Sequence, residues 1–114
     1  MPTVFVIARD WILRTGVRAE LREQAIKALG MDSLDQAGKA LASGEMPAAL
    51  VIEAAPEIVD DPALEPLVRR VPTVLIASRT LAATLPVDTV LYRPIRIGEI
   101  VERVTELVRR GHPA

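Results

Sequence analysis

Cysteine is absent from all 114 residues, which excludes disulfides, thiolate nucleophiles and Cys-ligated zinc. Aromatic residues are nearly absent too: Phe5, Trp11 and Tyr92 stand alone, too few for a base-stacking platform. Neither sign of charge dominates. Fourteen basic residues against fifteen acidic ones leave a net charge of −1, so no field suited to a phosphate backbone arises and nucleic-acid binding is not expected. Every apolar run falls far short of a bilayer span, and no glycine-rich phosphate loop occurs. The first residues lack the basic stretch and apolar core of a secretory signal. These absences set the expectation of a cytoplasmic protein without metal, cofactor or membrane contact.

What is present is a well-supplied core. Hydrophobic residues make up 50% of the chain, and residues 1–114 are expected to form one domain around them. Residues 89–110 (TVLYRPIRIGEIVERVTELVRR) organise the rest: a short apolar strand, an Arg-Pro step and an amphipathic helix. Val90, Leu91 and Tyr92 read as a strand buried between helical layers, and Pro94, which cannot donate to a ladder, makes Arg93 the last extended residue. In the helix, Ile97, Ile100, Val101, Val104, Leu107 and Val108 share one stripe, and Gly111 ends it.

Earlier in the chain, residues 3–8 (TVFVIA), 48–52 (AALVI) and 72–77 (PTVLIA) are continuous apolar runs that read as buried parallel strands. Asp10 is positioned to cap a helix with an inward stripe of Leu13, Val17, Leu21 and Ala25, closed by Leu29-Gly30. Residues 31–34 (MDSL) fall in the slot for a short edge strand. Helices are expected over residues 36–43 and 61–70, and the 79–85 segment has room for little more than two turns. Strands alternating with helices imply an α/β fold, doubly wound, with helices on both faces of a five-stranded parallel sheet.

The closing LYRPIRIGEIVERVTELVRR, with the strands that precede it, resembles the receiver domain of two-component response regulators over nearly the whole chain. The resemblance implies a flavodoxin-like, CheY-like sheet in the order 2-1-3-4-5, with a short fourth helix. It also implies a phosphoacceptor pocket, and there the sequence departs from the family. The acidic pair for magnesium falls on Ala8 and Arg9, with only Asp10 beyond. The phosphoacceptor aspartate falls on Glu53, the switch hydroxyl on Ala77 beside Ser78, the switch aromatic on Val90, and the lysine before proline on Arg93.

The degenerate pocket thus comprises Ala8, Arg9, Asp10, Glu53, Ala77, Ser78 and Arg93. Glu53 is expected to pair with Arg93 and neutralise the pocket, rather than act as a standing phosphate mimic. Trp11 either covers the pocket mouth or packs at the helix start. The expected function is a phosphorylation-independent signalling module with no catalytic residues, no cofactor, and a protein partner in a signalling pathway. Two alternatives are a receiver still phosphorylated at the atypical Glu53 and a small-molecule or anion sensor using Arg9, Arg79 and Arg93. A homodimer or partner complex is expected to form through Tyr92, Glu99, Arg103 and Glu106, where pairs of opposite charge stand at helical spacing.

Overall fold

A computed structural model describes residues 1–78 and 85–111. Its strands are β1 (Thr3–Ile7), β2 (Lys27–Met31), β3 (Ala49–Glu53), β4 (Thr73–Ala77) and β5 (Thr89–Tyr92). They form one parallel sheet in the order β2-β1-β3-β4-β5, the order that the resemblance implies. The helices are α1 (Trp11–Glu23), α2 (Leu34–Ala42), α3 (Pro56–Val59), α4 (Leu64–Arg70) and α5 (Ile97–Arg110).

The strand alternation explains why β1 is apolar throughout. Val4, Val6 and Ala8 enter a layer with Leu13, Val17 and Leu21 of α1 and Ile100, Val104 and Leu107 of α5. Phe5 and Ile7 enter the opposite layer, with Leu34 of α2, Ile58 of α3 and Leu64 of α4. A strand covered on both faces has no polar positions to spare. Gly16 permits the first layer to close, since a Cβ there would collide with Ile97.

Several elements differ from expectation. The second strand is Lys27–Met31, not residues 31–34, because α1 stops at Glu23 and Ala25 adopts a left-handed φ of 60° that turns the chain early. Ala25 is accordingly exposed rather than inward. The Asp and Ser of MDSL instead start α2: the Ser33 hydroxyl accepts from Gln36 N–H, and the Gln36 side chain accepts from Asp32 N–H. The helix expected over residues 61–70 begins only at Leu64, preceded by α3, with Asp61 accepting from Ala63 N–H in the turn between them. Finally, β5 is not buried on both faces: its residues alternate between half-buried and exposed. The short helix expected over residues 79–85 lies, Leu85 apart, outside the described residues.

Candidate functional site

The carboxyl ends of β1, β3 and β5 converge where a doubly wound sheet presents its ligand crevice. Glu53 ends β3 with its side chain 15% exposed. One of its oxygens, Oε1, accepts from the backbone N–H of Arg9 at 2.6 Å and of Asp10 at 3.1 Å. The other, Oε2, accepts from Arg93 Nη2 at 2.8 Å. The carboxylate therefore lies at the positive end of α1 with a guanidinium on its other side, a setting that stabilises an anion. The extra methylene of glutamate supplies the reach from β3 to the β1–α1 turn.

Asp10 caps α1 as its spacing predicts, Oδ1 accepting from Ile12 N–H at 3.0 Å and Leu13 N–H at 3.2 Å. Its Oδ2 stands 3.4 Å from Arg93 Nη1, so one guanidinium bridges two carboxylates. The Arg93 backbone is fixed as well, donating to Ala77 O at 2.9 Å. Ala8 is buried, its N–H donating to Met31 O and its carbonyl accepting from Arg14 Nη1. Ser78 and Arg93 line a hollow of about 410 Å³ together with Glu53, Ala54, Ala55, Pro56 and Ile76.

The structure thus brings Arg9, Asp10, Glu53 and Arg93 into direct contact, with Ala8, Ala77 and Ser78 around them. Arg9 contributes its backbone N–H, while its side chain is exposed. That backbone contact escapes sequence reasoning, although a helix start beside a long carboxylate is a usable signal. Trp11 does not line the hollow and is 64% exposed, immediately after the cap. Arg79 lies outside the described residues. Tyr92 is 53% exposed, as are, to lesser or greater degree, Glu99, Arg103 and Glu106 on α5. Glu99 with Arg103 and Glu106 with Arg110 have i,i+4 spacing, whereas the observed contact is Arg103–Glu106 at 4.0 Å.

The residues do not fit the magnesium site that the resemblance implies. Among the described residues no group of three or more His, Cys, Asp or Glu could hold a metal ion. The two carboxylates present are already engaged, and a cation sits between them. No helix among the described residues is long and apolar enough to cross a membrane.

No family model matches the sequence, and neither does any curated protein at a significant level. Solved structures do match. A response-regulator receiver domain from Francisella superposes with a TM-score of 0.78 at 19% identity, covering 98% of this chain and all of that one. A CheY-like receiver domain protein from Methanospirillum hungatei gives 0.76 at 14% identity, covering 96% of each chain. A receiver protein from Burkholderia phymatum gives 0.73 at 18% identity, again over 96% of each. The fold is that of response-regulator receivers.

Proposed function

We propose, starting from the receiver fold, that residues 1–114 form a single pseudo-receiver: a cytoplasmic, phosphorylation-independent interaction module with no catalytic residue. One observation carries the reading. The carboxylate at the phosphoacceptor position is fully engaged, with two backbone N–H groups on one oxygen and Arg93 on the other. Attack on a phosphoryl donor needs a free carboxylate oxygen and a cation to offset the gathering charge. Here both oxygens are committed and the resident cation is a side chain, held in an ion pair rather than offered to substrate.

What the module retains is shape. The Glu53–Arg93–Asp10 contact ties β3, α1 and the β5–α5 connection together, doing permanently what a ligand would do conditionally. The partner surface in this reading is the β5–α5 side, with Tyr92, Glu99, Arg103 and Glu106 as contact residues. The weak Arg103–Glu106 contact leaves both side chains over half exposed and available to a partner.

Trp11 supplies the test, since it follows the Asp10 whose N–H holds Glu53. Millimolar magnesium should leave its fluorescence unchanged. A saturable quench, lost on Glu53→Gln, would show that the carboxylates release Arg93 to a metal and would overturn the reading.

A further inference from the structure

The two edges of the sheet are treated differently. On β2, Lys27 N–H donates to Pro2 O and Ala8 N–H to Met31 O, so odd-numbered residues face β1 and the backbone of Ala28 and Gly30 faces outward. Part of that edge is covered. Arg18 Nε donates to Ala28 O at 3.3 Å, and the stems of Arg14 and Arg18 lie so close over Gly30 that a Cβ would meet Arg18 Cδ at 2.7 Å. Covering an edge with long cationic side chains is a standard defence against strand addition.

On β5 the equivalent defence is missing among the described residues. Arg93 N–H donates to Ala77 O, so residues 89, 91 and 93 face β4 and the N–H and C=O of Val90 and Tyr92 face outward. Leu91 packs into the α1–α5 layer, so the Val90 and Tyr92 side chains lie on the other face of the sheet, 37% and 53% exposed. Helix α5 lies over β3 and β4. Tyr92 and the charged row of α5 are therefore on opposite sides of β5, and a partner touching both must cover the edge between them.

We propose that this edge pairs antiparallel with β5 of a second copy of the chain, a step that rests on the β5–α5 side being the partner surface. Charge selects the occupant and the direction. The strand is preceded by exposed Asp88, whose Oδ1 also accepts from Thr73 N–H, and followed by exposed Arg96, Arg93 being held by Glu53 and Asp10, so an antiparallel copy sets its acidic end beside the basic end of the other, whereas a parallel copy sets like beside like. The outward-facing residues fix the register: Val90 exchanges both backbone hydrogen bonds with the partner's Tyr92, and Leu91 faces the partner's Leu91 across the two-fold axis. Each Val90 then lies beside a Tyr ring, a favourable β-branched and aromatic cross-strand pair.

The cysteine-free sequence makes the register directly testable. At the axis the two Leu91 Cα atoms come within about 4.5 Å, inside the range of about 4.4–6.8 Å that a disulfide spans. Two Val90 residues are diagonal neighbours about 7–8 Å apart. Under mild oxidation Leu91→Cys should cross-link at least tenfold faster than Val90→Cys; equal rates, or none, overturn the pairing. In sedimentation, Val90→Pro, which removes an outward N–H and spares the β4 ladder, should weaken dimerisation at least tenfold. Lys39→Glu, at an exposed position on α2 beside the opposite edge, should change it less than threefold. A dimer that survives Val90→Pro but is lost with Tyr92→Ala and Arg103→Glu together overturns strand pairing and leaves the partner surface standing. A monomer at every concentration overturns the pairing, and the pseudo-receiver reading is then judged separately by the magnesium titration of Trp11.

Discussion

Phe5→Ala should lower the unfolding free energy by about 3 to 5 kcal/mol, the range for truncating a buried aromatic. Phe5 is fully buried in β1, in the layer shared with α2, α3 and α4. It is also the chain's sole core aromatic, because Trp11 and Tyr92 are both on the surface. No second ring is available to relax into the space. At about 4 °C per kcal/mol, the melting temperature should fall by more than 10 °C. Phe5→Leu, which keeps most of the volume, should cost less than about 1.5 kcal/mol, and Trp11→Ala should stay within about 0.5 kcal/mol of wild type. Equal losses for Phe5→Ala and Trp11→Ala would contradict the two-layer core.

Glu53→Lys should be the most damaging change in the candidate site, at about 3 kcal/mol, since it leaves an ammonium against Arg93 and the positive start of α1. Glu53→Gln retains an acceptor for the Arg9 and Asp10 N–H groups and should cost about 1 kcal/mol. The ion pair itself is worth less than its 2.8 Å contact suggests, because Arg93 remains 39% exposed and solvent screens it. Urea unfolding of Glu53→Ala, Arg93→Ala and the double variant should give a coupling of about 1 kcal/mol. Additivity within about 0.3 kcal/mol would mean that the two side chains do not act on each other.

Much of this arrangement is legible in the sequence, for identifiable reasons. The strands β1, β3 and β4 are covered on both faces and therefore read as unbroken apolar runs, and α5 keeps a clean helical stripe that all proves buried or half-buried. Asp10 announces a helix start, and the placement of Glu53 and Arg93 at the carboxyl ends of strands of one sheet suggests their contact, although β4 lies between β3 and β5. The second strand hides because Lys27, Ala28 and Gly30 are poor strand formers, and because the stop of α1 depends on Ala25 taking a conformation usual for glycine. The start of α2 was legible after all: Ser33 followed by Gln36 is the spacing of a capping box. Exposure of Tyr92 was expected with the partner surface, whereas that of Val90 was not legible, since a short apolar run reads the same whether or not a helix covers it. Nor were the two N–H groups on Glu53, because backbone donors leave no mark in side-chain chemistry.

The central claim is that Glu53 is spent on Arg93 and the start of α1 and has no phosphoryl chemistry left. Intact-mass measurement after incubation with magnesium and a small-molecule phosphoryl donor tests it most directly. The mass should stay unchanged for the wild type and for Glu53→Asp, since neither Ala8 nor Arg9 can replace the missing carboxylates. A gain of one phosphoryl group on the wild type that disappears in Glu53→Gln would contradict it.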